Sequence, residues 1–375
     1  MTVVARENSA AHVATPPQFG LINLLKAGAA QLIVLHHLAF YGPMSDHARI
    51  LWPELFSFLS GDARIAVQVF LVISGFLVAK SLAPSGHAGT IEPLSAIWRR
   101  YAKLAPPFFV ATLFAAAATY FAAQWMSHHS ISEPATLSQL SAHALLLHSV
   151  LGYPSLSAGA WYVAIDFQLY SSVVLVLWLV GRSTGARRLG WLVPILMALG
   201  VTLSLLHFNL DPDWDNWAPY FFGSYGLGLL AWWGSDARRK PLAVAVLVLM
   251  ALLPALVALL VDFRSRIALA LLVAVLLMVC GRIKVPARGH FWTAIHGMGK
   301  ISYAVFLIHF PVCLLVNAAF TRFAPAEPLA QALGMLAAWG LSLMAGAVFH
   351  RWVELPLGRL MEATGLQLGA RSATA

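Results

Sequence analysis

The run LAVAVLVLMALLPALVALLV at 242–261 carries no charged side chain in 20 positions. An α-helix rises about 1.5 Å per residue, so a run of this length can cross the roughly 30 Å hydrocarbon core of a bilayer. Comparable apolar stretches stand at 20–41, 64–83, 103–125, 161–181, 189–208, 215–234, 265–281, 300–320 and 328–349. Together they predict an all-α fold, a polytopic membrane helix bundle of about ten transmembrane helices. Composition agrees: of 375 residues, 60% are hydrophobic and 10% charged, against about 25% charged in ordinary soluble domains. A mean hydropathy of +0.76 leaves too little polar surface to cover a water-soluble globule and excludes a disordered chain. Cys280 and Cys313 lie in or beside apolar runs, which suits small core residues better than a disulfide framework or a zinc site.

The formal charge of +9 fits either nucleic-acid binding or a basic membrane rim, and its distribution decides between them. Counted on alternate loops, Lys80, Arg99, Arg100, Lys103, Arg182, Arg187, Arg188, Arg238, Arg239, Lys240, Arg282, Lys284, Arg288, Lys300, Arg351 and Arg359 fall on one side, with Arg6 and Arg371 in the tails. The other side holds Arg49, Arg64, Arg264, Arg266 and Arg322, with acidic residues around Asp46, Glu54, Asp62 and DPDWDN (211–216). The positive-inside rule then predicts cytoplasmic tails at 1–19 and 351–375, a membrane region at 20–350, and lipid rather than nucleic acid as the surrounding partner. The first twenty residues are polar and lack the apolar core of a signal peptide.

The stretch 126–160 contains His128, His129, His143 and His148 but no Lys or Arg. Its segment TLSQLSAHALLLHSVLG (136–152) is short and amphipathic, and predicts an outer-face or re-entrant helix, either plainly interfacial or a lid over the bundle. None of these histidines has Cys, Asp or Glu at ligand spacing, so no metal is expected. There is no glycine-rich nucleotide loop, no Gly-x-Ser-x-Gly elbow and no repeated half of the kind found in inverted-topology transporters.

Titratable groups inside an apolar span cost a few kcal/mol on insertion scales, which makes each a candidate site residue. In LLKAGAAQLIVLHHL (24–38), the eleven-residue step from Lys26 to His37 is about three turns plus 20°, so both share a face about 16 Å apart along the axis. His37 fits a general base, and equally a packing histidine bonded between helices; Lys26 fits a snorkelling side chain. In WYVAIDFQLY (161–170), Asp166 lies at a depth comparable with His36 and His37 and could orient an imidazole. In ISYAVFLIHFPV (301–312), Ser302 and His309 share a face, with Pro311 just beyond. In IWRRYAKLAPP (97–107), Arg99, Arg100 and Lys103 fit either positive-inside charge or a phosphate clamp.

These stretches resemble the acyltransferase-3 family of integral membrane O-acyltransferases. Lys26 and His37 match a family Arg and His eleven residues apart, VQVFLVISGFLVAKSL (67–82) is similar to its Phe-rich run ending in Ser-Gly-Phe, and RRYAKLAP (99–106) to its arginine motif. WYVAIDFQLY matches a Trp-to-Tyr motif with two glutamates, here Asp166 and Phe167; ISYAVFLIHFPV and FHRWVELPLGR (349–359) resemble its Ile-Ser-Tyr and closing Glu-x-Pro motifs. Lysine at 26 and 103 lacks the planar fork of arginine, and Phe167 removes a carboxylate. The resemblance implies transfer of an acyl group, usually acetyl, from cytoplasmic acyl-CoA to a saccharide hydroxyl at a bacterial-type inner membrane. It implies acetyl-CoA as donor substrate without a metal, Lys26, Arg99, Arg100 and Lys103 on the donor, and His37, Asp166 and His309 in the chemistry. A multi-pass exporter of a glycan or lipid intermediate is the alternative.

Overall fold

The computed structural model describes residues 18–183, 185, 189–286 and 289–372. Arg6, Arg187, Arg188, Arg288 and almost all of the expected tail 1–19 lie outside the described residues. The chain is a helical membrane bundle. Its helices are α1 (Gly20–Phe40), short α2 (Pro43–Ala48) and α3 (Pro53–Ser57), α4 (Val67–Leu82), α5 (Pro93–Ala122), short α6 (Leu137–Ala144), α7 (Ala160–Arg182), α8 (Leu192–Leu206), α9 (Ala218–Gly234), α10 (Pro241–Val261), α11 (Ser265–Cys280), α12 (Gly289–Phe323), α13 (Pro328–Phe349) and α14 (Leu355–Ser372). Eight helical runs among the described residues are long and apolar enough to cross a membrane. The two other expected spans form as α9, with 17 residues, and α11, with 16.

Several boundaries differ from expectation for one local reason. Proline lacks an N–H and has its φ preset, so it fits the first turn of a helix, where that donor has no partner. Pro93 therefore starts α5 ten residues before the apolar run begins at 103, and places Arg99, Arg100 and Lys103 within the helix. At 30 residues α5 is about 45 Å long, more than a bilayer core requires, and α12 with 35 residues is longer still. Residues 351–363, expected as part of a tail, continue the helical run begun at Pro328 through a π-helical turn, His350–Glu354.

Helices α4 and α9 form the centre of one half of the bundle. On α9 only Pro219 and Phe222 escape burial, the pattern of a helix apolar on every side. The Ser-Gly-Phe run explains the contact: a Cβ on Gly75 would overlap the Tyr225 carbonyl, and one on Gly228 would overlap the Val72 carbonyl. Backbone meets backbone there because neither helix presents a side chain. By contrast α10, the most apolar helix in sequence, lies outside, with Leu249, Leu253, Leu256 and Leu260 exposed where lipid would be. Helix α12 packs against α1, α5 and α13 in the other half.

The two ends of the bundle differ in charge. At one end, Gln18–Phe19 pairs with Lys284–Val285, Lys80 sits over the Phe19 ring, Arg239 donates to the Ser85 carbonyl, and Arg282 to the Trp232 carbonyl. We call this the basic end. The expected outer helix forms as α6; its His143 stacks on His148 at 4.0 Å with Phe108 of α5 alongside, and its Ala144 carbonyl accepts from the Tyr101 hydroxyl. Both cysteines are free, Cys313 buried and Cys280 half-buried.

Candidate active site

Helices α1 and α12 carry the two histidines that meet. Gly299 lies against Asn23 near the basic end of their contact, and the helices run side by side to His37 and His309. His37 Nδ1 stands 2.6 Å from His309 Nε2, and His309 Nδ1 stands 3.1 Å from the Val305 carbonyl oxygen. The two rings are within 11° of parallel with centroids 4.9 Å apart, which is the N···N distance plus two ring radii. The hydrogen bond therefore lies in the plane of both imidazoles.

This chain fixes the tautomers. A carbonyl oxygen only accepts, so His309 Nδ1 carries a proton and donates to Val305; in a neutral ring its Nε2 then accepts. His37 Nδ1 must donate to it, which leaves the lone pair of His37 on Nε2. His36 is held in the same sense, its Nδ1 donating to the Leu59 carbonyl at 2.8 Å. That carbonyl belongs to a π-helical turn, Phe58–Asp62, whose wider winding turns it toward α1. Both histidines line a cavity of about 320 Å³ at the end opposite the basic rim, walled by Phe40, Tyr41, Trp161 and Phe306 with Ser60 and Arg64 at its edge. Gly159 makes room for that wall, since a Cβ there would overlap the Phe306 ring.

Asp166 is not part of this chain. It is buried and forms an ion pair with Arg100, whose guanidinium also lies 5.2 Å from the Tyr170 ring centre. The expectation that Asp166 orients an imidazole is corrected accordingly. A full guanidinium charge in an apolar bundle gains more from a carboxylate than a neutral ring does, and Val305 already terminates the histidine chain. Arg100 in turn parts from Arg99 and Lys103. One residue is about 100° of helix, so Arg99 and Lys103 share an exposed face while Arg100 turns inward. Arg99 donates to Ser95 Oγ at 3.0 Å, and half-buried Lys26 lies within electrostatic reach of Lys103 and of Glu354 on the π turn. His350 Nδ1 donates to Glu354 at 2.7 Å. Phe167, where the family motif has a second carboxylate, packs edge-on against Tyr101.

Near the Arg100–Asp166 pair lie further buried polar groups. Asp166 Oδ1, Arg100 Nε and the Tyr225 hydroxyl are buried there without a hydrogen-bond partner among the described residues. The Tyr303 hydroxyl donates to the Leu104 carbonyl, one turn from the helix-interior prolines Pro106 and Pro107. Sequence reasoning did not single out Tyr225, Ser60, Arg64 or Phe306. Arg64 had a visible signal, being one of few arginines on the sparsely basic side; Tyr225 had none, because a tyrosine in an apolar helix is ordinary.

A helical bundle long and apolar enough to span a membrane, with two imidazoles lining an internal cavity, defines a multi-pass membrane protein with polar groups among its helices. The family model described as "Acyltransferase domain" matches residues 20–348. The chain belongs to the acyltransferase-3 family and is an acyltransferase. It is also similar to a Caenorhabditis elegans protein described as a regulator of hypoxia-inducible factor 1, at 22% identity over 388 residues covering 88% of this chain and 74% of that protein. No solved structure matches the chain.

Proposed function

We propose that the protein transfers an acetyl group from acetyl-CoA to a saccharide hydroxyl, with the basic end in the cytoplasm of a bacterial-type inner membrane and His37 as general base. The observation that supports this reading is the hydrogen-bonded series Val305, His309, His37, which leaves the lone pair of His37 on Nε2 of a residue that lines the cavity. His37 Nε2 takes the acceptor hydroxyl proton as the oxygen attacks the thioester carbonyl carbon. The C–S bond breaks, and His37 returns the proton to the departing thiolate, giving the ester and a free thiol. His309 holds the imidazole in place and stabilises its charged form through the Nδ1 hydrogen bond.

The residues present fit a long, amide-rich donor substrate. Lys26, Lys103 and Arg99 supply cationic groups at the rim, and the unpartnered Asp166, Arg100 and Tyr225 atoms supply polar contacts along the way in. Eleven residues of α1 separate Lys26 from His37, about 16 Å along the axis, a distance an extended thiol arm can bridge.

Purified protein in lipid discs, given labelled acetyl-CoA and a glycan acceptor, is expected to release thiol and label the glycan. His37→Ala, at matched expression and unchanged melting temperature, is expected to lose at least 100-fold in rate. A variant that retains full transfer would refute the assignment of the base.

A further inference from the structure

Arg64 sits on a 3-10 turn, Ala63–Ala66, between the π turn and α4, and lines the cavity beside His36. Three other arginines at this end, Arg49, Arg264 and Arg266, are engaged by the protein itself. Arg49 pairs with Asp46; Arg264 pairs with Asp262 and donates to the Asn209 and Leu205 carbonyls; Arg266 lies over the Tyr220 ring and donates to the Asn209 carbonyl. Arg64 makes no ion pair with a carboxylate among the described residues, and no carboxylate lines the cavity.

A guanidinium beside two imidazoles, with no counter-charge in the wall, creates a positive potential that an incoming anion would neutralise. Its planar fork matches a carboxylate or phosphate better than a point charge would. The rest of the wall suits a sugar ring: flat faces of Trp161, Phe40 and Tyr41 for its C–H side, and the Ser60 hydroxyl and the His36 Nε2 lone pair for its hydroxyls. At about 320 Å³ the cavity lies at the small end of the roughly 300–1,000 Å³ typical of small-molecule sites, which suits one sugar unit.

We propose that the cavity takes a saccharide acceptor bearing an oxyanion, a uronate carboxylate or a sugar phosphate, and that Arg64 sets this specificity. The proposal rests on reading the cavity as the acceptor site of the acyl transfer. It accounts for a cation at the end of the bundle where basic residues are sparse.

Binding is measured without donor, by saturation-transfer NMR on the protein in phosphatidylcholine discs. The ligands are glucuronate, glucose 1-phosphate and glucose. Wild type is expected to bind at least one of the anionic sugars about 10- to 100-fold more tightly than glucose. Arg64→Gln is expected to bring that ratio close to one, and Arg64→Lys to restore part of it. Whichever oxyanion keeps the preference identifies the acceptor chemistry. Equal binding of all three sugars by wild type, or an unchanged ratio in Arg64→Gln, overturns the proposal. So does loss of anionic-sugar binding in phosphatidylglycerol discs, which would make Arg64 a lipid headgroup contact. Preferential binding with no acetyl transfer in the presence of acetyl-CoA would sink the proposed acetyl transfer and leave the anion site standing.

Discussion

At the scale of single residues, the proposed chemistry turns on the proton positions on His37 and His309. Without His309, the His37 proton is free to move to Nε2, where it would block the lone pair. His309→Ala is therefore expected to lower kcat about 100-fold or more with little change in KM. His309→Asn, whose side-chain oxygen can accept from Nδ1, is expected to recover part of that loss. Steady-state kinetics on matched preparations checks both, and a His309→Ala enzyme with normal kcat would show that the neighbouring ring serves packing alone. This partnership was only half legible in the sequence. The eleven-residue and seven-residue spacings placed Lys26 with His37 and Ser302 with His309 on common faces, but spacing within one helix says nothing about which helix that face meets. Asp166 illustrates the same limit: a carboxylate inside a span announces a partner, and only the packing of α5 against α7 decides that the partner is Arg100.

At the scale of elements, the contact between α4 and α9 depends on two missing side chains. A methyl group at Gly75 would meet the Tyr225 carbonyl, which is helix backbone and cannot rotate away. Gly75→Ala is expected to push the helices apart and destabilise the bundle by about 1–3 kcal/mol. The shift would carry Tyr225 away from Asp166 and Arg100. A lowered melting temperature in detergent checks this, whereas Gly61→Ala, with open space around the site, should melt like wild type. The glycine in Ser-Gly-Phe was visible in the sequence; its purpose was not, because close approach is a property of two helices. The start of α5 at Pro93 was likewise hidden, since hydropathy marks where lipid begins and proline marks where the helix begins.

At the scale of the whole molecule, charge and hydropathy between them gave the bundle and its two unlike ends, and the basic loops that alternate along the sequence do meet at one end of the structure. Stability should also depend on pH. Burial, with His143 alongside, pushes the His148 imidazole down to about 3. The unfolded chain, with an ordinary histidine near 6.5, binds more protons between those values, so folding stability falls as pH drops from about 6.5 toward 3. His148→Phe keeps a flat ring against His143 and Phe108 without the titration. Its melting temperature is expected to fall less between pH 7 and pH 4 than that of wild type; equal falls would remove His148 as a cause.

The ion pair of Arg100 and Asp166 also bears on how the protein is made. Its members are 66 residues apart in the chain, so α5 leaves the ribosome well before α7 exists. An unpaired arginine at membrane depth costs about 2.5–3.5 kcal/mol on insertion scales, which favours keeping Arg100 near the headgroups at first. The extra length of α5 permits that, because the helix can slide along its own axis while still spanning the core. Delivery of Asp166 removes the penalty. The pair can therefore close only after the fourth long span has been made, which ties the final placement of α5 to that of α7.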